Sequence, residues 1–171
     1  MQRILVSACL LGHAVRYDGG DKRCEDRILQ AWLANGQVVP FCPELAAGLP
    51  VPRPPAEISQ GAGGIGVLSG QAQVIEAGGR DVTAEFVSGA EQALAVARQY
   101  GIRLAILKEG SPSCGSSVTY DGSFSGVRIS RPGVTSALLK QAGLAVFSEH
   151  ELVAAQNWLD EQMPDTTVNN P

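Results

Sequence analysis

The sequence predicts an α/β fold: a single-domain, three-layer sandwich built on a mostly parallel, Rossmann-like sheet. Four short segments are apolar throughout, and between them lie segments whose apolar residues recur at helical spacing. Strands that are apolar on both faces are typical of parallel sheets covered by helices on both sides. In such folds ligands bind beyond the carboxyl ends of the strands, so we expect the site there. We place the domain at 1–163 and expect a disordered tail at 164–171.

The first half of the chain contains two predicted strands, and each of them ends at a cysteine. The apolar run 4–8 is interpreted as a buried first strand that leads into Cys9. Residues 28–33 show helical spacing and predict the first helix. The segment 37–41 predicts the second strand, which ends at Cys42.

A long stretch from 48 to about 79 is rich in proline and glycine, which favours a functional or flexible loop. Within it, 71–76 predicts an edge strand or hairpin. Thr83 is then predicted to cap the N-terminus of a helix that runs to Gly101.

The remaining elements complete the alternation of strands and helices. A third buried strand is predicted at 104–107 and a fourth at 144–147, with helices at 134–142 and 151–163. Cys114 follows the third strand in the polar, glycine-containing segment 108–115.

Composition narrows the classes of function. A net charge of −4 gives no electrostatic footprint for nucleic acid or an anionic membrane, so neither partner is expected. No apolar run approaches the roughly 20 residues of a membrane helix, and the apolar run at 4–6 is too short for a signal peptide. We therefore expect a cytoplasmic protein, in which disulfides between the four cysteines are not expected.

Three cysteines, Cys9, Cys42 and Cys114, carry the predicted chemistry. They are far apart in the sequence, so only the fold can bring them together, at the carboxyl ends of the strands. Thiolates select iron–sulfur clusters, zinc or copper(I). Three thiolates on a [4Fe–4S] cluster would leave one iron open, while zinc with three thiolates and a water, or three buried cysteines without metal, are the alternatives. Cys24 is interpreted as incidental.

Motifs that surround these cysteines and continue beyond them lie at 6–12, 16–20, 40–44, 48–57, 108–115, 120–126 and 133–135. On these stretches the sequence resembles the bacterial family to which the thiouracil desulfurases belong. The stretches extend over most of the chain, and their combination is far more specific than any single motif.

The resemblance implies a [4Fe–4S] cluster held by Cys9, Cys42 and Cys114. The fourth iron is implied to bind the sulfur of a thiolated pyrimidine, so that water replaces the sulfur without net redox change. The acidic residue of the family maps onto Glu44, which we expect to deprotonate the water, and its serine maps onto Ser111, which we expect to donate or relay a proton. Because the chain ends too soon for the extra domain of relatives that act on thiolated tRNA, we expect a free base or nucleoside as substrate.

Weaker candidates for substrate contacts are Arg16, Tyr17, Asp18, Arg53 and Lys108. Tyr17 is expected to stack on the pyrimidine ring, the arginines to meet its carbonyls, and Lys108 to balance the charge of the cluster. An Arg–Asp pair that only shapes the loops remains the alternative for this group. For the whole protein, the alternatives are a non-catalytic iron–sulfur or zinc sensor and a metal-free thiol enzyme.

Overall fold

The computed structural model of the protein describes residues 1–162. The predicted end of the domain at 163 and the predicted tail at 164–171 lie outside the described residues. The strands are β1 Ile4–Ser7, β2 Val38–Phe41, β3 Ala56–Ile58, β4 Val74–Glu76, β5 Leu104–Leu107, β6 Thr119–Tyr120, β7 Arg128–Ile129 and β8 Ala145–Ser148. The α-helices are α1 Arg27–Ala34, α2 Pro43–Ala46, α3 Gly63–Leu68, α4 Thr83–Gln99, α5 Val134–Gln141 and α6 Leu152–Gln162, and 3-10 turns lie at Ala8–Leu11 and Ser59–Gly61.

The central sheet has four parallel strands in the order β2-β1-β5-β8. Its two inner strands, β1 and β5, are buried along their whole length. Because every residue of these strands faces a covered surface, both run as uninterrupted apolar or small residues. The four predicted strands and the parallel sheet are confirmed.

Two of the core clusters lie on opposite faces of this sheet. Ile4 and Val6 of β1 pack with Trp32 of α1 and Leu159 of α6, whereas Leu5 packs with residues of α4 and α5. This alternation gives the predicted three layers, with α1 and α6 on one side of the sheet and α4 and α5 on the other.

The proline- and glycine-rich stretch is more ordered than the sequence predicts. The predicted edge strand is confirmed as β4, which pairs antiparallel with β3, but a helix, α3, lies between them where a loop was expected. The glycines of α3 permit close packing, because a Cβ at Gly64 would lie 2.2 Å from the carbonyl oxygen of Gly133. Glycine was therefore misread as a loop signal where it is a contact residue.

Thr83 is not the N-cap of α4, contrary to the prediction. It is the first helical residue, and its backbone N–H donates to the carboxylate of Asp81 at 2.9 Å. Its hydroxyl accepts the backbone N–H of Val74 at 2.9 Å, which ties the helix to β4.

Candidate active site

The structure brings three of the four cysteines to one cavity of about 480 Å³ at the carboxyl end of the sheet. Cys9 lies in the 3-10 turn after β1, Cys42 immediately precedes α2 at the end of β2, and Cys114 lies in the loop after β5. All three are free thiols. Cys24 does not line the cavity and packs instead against the core beside α1.

Burial dominates the chemistry of these thiols. It raises the pKa of Cys9 to about 11, with Arg16 opposing the shift, and it also raises the pKa of Cys42 and Cys114. Without a metal the three thiols are therefore protonated and poor nucleophiles at neutral pH. This argues against the metal-free thiol enzyme.

Each sulfur nevertheless has a neighbour that favours its thiolate form. Arg16 supplies positive charge near Cys9. The backbone N–H groups of Leu45 and Glu44 act to lower the pKa of Cys42, and the hydroxyl of Ser7 acts to lower that of Cys114. Hydrogen bonds to ligand sulfurs are among the features that tune iron–sulfur clusters.

Glu44 lines the same cavity from α2, two residues after Cys42. Its carboxylate oxygen Oε2 accepts a hydrogen bond of 2.7 Å from Nε of Arg53, and Nη2 of Arg53 contacts the same oxygen. The Glu44 side chain is 14% exposed and that of Arg53 is 5% exposed. The cavity therefore contains a carboxylate beside three thiols, held by a buried cation.

Ser111 lines the cavity from the loop that carries Cys114. Its Oγ accepts the backbone N–H groups of Ser113 and Cys114, each at 3.1 Å. Since these bonds use the oxygen as acceptor, the hydroxyl proton remains available for donation.

Sequence and structure comparisons agree on the family. The profile of the family described as 2-thiouracil desulfurase matches residues 4–151. The chain belongs to the 2-thiouracil desulfurase family. A solved structure described as the [4Fe–4S]-dependent thiouracil desulfidase TudS is 48% identical, with a TM-score of 0.86 over 94% of this chain and 99% of that one. An uncharacterized protein of Bacillus subtilis (strain 168), YbbK, is 47% identical over 149 residues, or 87% of this chain and 97% of YbbK.

These findings confirm the family expected from the sequence, its enzymatic class and the α/β fold. Within residues 1–162, no helix is long and apolar enough to cross a membrane.

Arg16 and Tyr17 were both expected to meet the substrate. In the structure both residues line the cavity, near its rim. Tyr17 is 39% exposed. The guanidinium of Arg16 lies 5.7 Å from the centre of the Tyr17 ring, and its Nη1 is buried without a hydrogen-bond partner among the described residues. Arg16 therefore has a donor that no described residue satisfies.

Asp18 is not among the residues that line the cavity. Its carboxylate accepts the backbone N–H of Gly20 at 2.9 Å, and this bond is the main cause of its lowered pKa. The structure thus gives Asp18 a part in shaping the loop, because its side chain turns back onto its own backbone.

Lys108 lines the cavity, but its charge already has a partner. Its Nζ forms an ion pair of 2.7 Å with Glu149 and donates to the carbonyl oxygen of Glu109 at 2.7 Å. Glu149 is the first residue after β8, the fourth strand predicted from the sequence. The cysteines were located by looking just beyond the strand ends, and the same search after β8 would have found Glu149.

Glu57 and Glu76 are among the acidic residues of the cavity that the sequence analysis missed. Glu57 lines the cavity and accepts the backbone N–H groups of Gly122 and Phe124 at 3.0 and 3.2 Å, which ties that loop to β3. Glu76 is 7% exposed and lines the cavity opposite Ala56 in the β3–β4 pair. Glu57 lies within a matching motif stretch, whereas nothing in the sequence distinguishes Glu76.

Proposed function

We propose that this chain hydrolyses the C–S bond of a thiolated pyrimidine, thiouracil or thiouridine, with a [4Fe–4S] cluster held by Cys9, Cys42 and Cys114. The observation that carries the proposal is the convergence of three cysteine thiols, two of them buried, and Glu44 on one cavity. Support comes from the 48% identity to a thiouracil desulfidase whose name states the same cofactor.

The donor set suits such a cluster. Three thiols reach the cavity from three different strand ends, and each has a neighbour that stabilises the thiolate. No three His, Cys, Asp or Glu side chains in residues 1–162 are grouped for one metal ion. A polynuclear group that spans the cavity therefore fits these thiols better than a single zinc ion.

When bound, a cluster with three thiolate ligands supplies an iron with an open position, which acts as a Lewis acid toward the sulfur of the substrate. The chain supplies the proton transfers. Glu44 takes a proton from the attacking water, whose oxygen bonds to the ring carbon as the C–S bond breaks. Ser111 passes a proton to the departing sulfur and regains one from the hydroxyl that the water has added to the ring, so the sulfur leaves as hydrosulfide, the product has a carbonyl oxygen, and no electrons are gained or lost.

The proposed substrate contacts are Arg16, with its unpartnered Nη1, and Tyr17, at the rim. Lys108 is proposed to add positive charge near the thiols, moderated by Glu149. A cytoplasmic location and the absence of a nucleic-acid partner stay predictions of the sequence.

A non-catalytic sensor with the same cluster is the second candidate. A sensor needs no carboxylate beside its cluster ligands, whereas Glu44 lies within the cavity, two residues after Cys42. This position favours the enzyme.

The test is anaerobic purification followed by assay of sulfide release from 2-thiouracil and 4-thiouridine. We expect a brown protein with broad visible absorbance that releases sulfide. Glu44→Gln should retain the iron but lose about 10²- to 10⁴-fold in kcat, the range typical of a general base. Cys24→Ser is the control and should retain both iron and activity. A colourless, zinc-containing protein, or a Glu44→Gln variant with normal turnover, would contradict the proposal.

A further inference from the structure

We infer that Arg53 is a positioning residue, which orients the carboxylate of Glu44 without touching the substrate. The inference rests on the proposed function, because it assigns Glu44 the proton transfer. It differs from the expectation that Arg53 meets a carbonyl of the pyrimidine.

The guanidinium of Arg53 has a protein acceptor at each of its three nitrogens. Nε donates to Oε2 of Glu44 at 2.7 Å, Nη1 to the carbonyl oxygen of Pro50 at 3.1 Å, and Nη2 to the carbonyl oxygen of Val15 at 3.1 Å. A side chain that is 5% exposed and bonded at every nitrogen is held in a single orientation. Arg16, which lines the same cavity, differs in that its Nη1 has no hydrogen-bond partner among the described residues.

Both contacts from Arg53 reach the same oxygen of Glu44. Nε and Nη2 meet Oε2, and Oε1 receives no hydrogen bond from the described residues. The pair therefore separates the two oxygens of the carboxylate, with Oε2 turned toward the cation and Oε1 left for a water in the cavity.

The backbone around Glu44 cannot supply this orientation alone. The helix α2, which carries it, has four residues, and a glutamate side chain has three rotatable bonds. Arg53 is itself anchored, because its backbone N–H donates to the carbonyl oxygen of Tyr17 at 2.7 Å. Through Val15, Tyr17 and Pro50 it joins the loop after β1 to the segment after α2, and Glu44 is fixed at that junction.

The experiment compares Arg53→Met, Glu44→Gln and the double variant, all loaded with the cluster under anaerobic conditions. Arg53→Met should lower kcat about 10²-fold, the loss typical of a misplaced catalytic group, while KM and iron content stay close to wild type. In the Glu44→Gln background, the added Arg53→Met change should not lower kcat further, because a residue that acts through Glu44 has nothing left to orient. Millimolar guanidinium should restore part of the activity of an Arg53→Ala variant but none in the Glu44→Gln background.

A second readout is independent of turnover. The dissociation constant of uracil, the reaction product of thiouracil, is measured by titration of the loaded Glu44→Gln protein with and without Arg53→Met. Equal constants support the positioning role, and a tenfold weaker constant in the double variant would show that Arg53 contacts the ring and would overturn the inference. The double variant contains no unpaired buried charge, so it remains measurable if Arg53→Met alone fails to fold.

The two proposals fail differently. A loaded wild-type protein that releases no sulfide would contradict the proposed function. Normal wild-type turnover together with unchanged kcat in Arg53→Met would contradict only the role of Arg53.

Discussion

Gly89 of α4 provides a steric test of how the site is held. Its Cα faces α2, and a Cβ added there would lie 2.3 Å from the carbonyl oxygen of Pro43 and 2.8 Å from its carbonyl carbon. Pro43 stands between Cys42 and Glu44, so any movement of its backbone moves a proposed cluster ligand and the proposed base together.

The size of the movement follows from these distances. An ordinary contact for a Cβ begins at 3.4 Å, so Gly89→Ala must separate α4 and α2 by about 1 Å. Overpacking of this kind costs about 1–3 kcal/mol, and the higher helix propensity of alanine offsets about 1 kcal/mol of that cost. A net loss near 1 kcal/mol lowers Tm by about 2–4 °C in a chain of this size.

The effect of Gly89→Ala on turnover should be larger than its effect on the free energy of unfolding. A misplacement of about 1 Å at a catalytic group can lower turnover by about 10²-fold. We therefore expect Gly89→Ala to fold, to bind less iron per chain, and to release sulfide at about one hundredth of the wild-type rate per bound cluster.

The assay combines Tm, iron content and anaerobic sulfide release. Gly78→Ala is the matched control, because it adds the same methyl group in an exposed turn where, apart from its two chain neighbours, none of residues 1–162 has an atom within 4 Å. Wild-type iron content and turnover in Gly89→Ala would refute the reasoning, since they would show that α2 moves without effect on the site.

Two further predictions concern the loop that carries Cys114. Ser111→Ala removes the acceptor of two backbone N–H groups, so we expect a loss of about 1–3 kcal/mol in the free energy of unfolding and a lower iron content. Ser117→Ala, at an exposed position of the same segment, is the control. Identical denaturation curves for Ser111→Ala and Ser117→Ala would contradict the predicted loss of stability. At Glu109, burial acts to raise the pKa, but hydrogen bonds from Ser116 and three backbone N–H groups outweigh it and lower the pKa below the ordinary 4.5. Such a group stabilises the fold above its unfolded pKa and loses this effect as the pH falls through its lowered folded pKa. The difference in Tm between wild type and Glu109→Gln should therefore shrink below pH 4.5. A difference in Tm that is constant with pH would contradict this prediction.

The sequence was sufficient to predict where the cysteines meet. Apolar runs identify buried parallel strands, and the carboxyl ends of such strands share one edge, so Cys9 and Cys42 follow from local pattern alone. The position of Cys114 is harder to predict, because it is the seventh residue after β5 and the path of the chain over these residues is not determined by the strand.

The partner of Glu44 could not be predicted in the same way. Arg53 is nine residues away, beyond the end of α2 and within a proline-rich segment without periodicity. Its contacts with Val15 and Pro50 depend on the path of two loops, and loop paths are determined by tertiary packing that leaves no repeating pattern in the sequence. Asp18 is a different case, because its bond to the backbone N–H of Gly20 is local, and a role in shaping this loop was already the alternative to a substrate contact.

The position of the cavity explains why two of its thiols and its carboxylate are held by different means. Cys9 belongs to the core cluster on the α1–α6 face of the sheet, and Cys114 belongs to the cluster on the α4–α5 face. Packing in these clusters fixes both sulfurs, as a rigid ligand set requires. Glu44 lies outside the clusters on a short helix, and its order depends on one buried ion pair. Substitutions in the hydrophobic core should therefore lower the content of bound iron–sulfur cluster first. Substitutions at Arg53 should instead lower turnover while the iron–sulfur cluster remains bound.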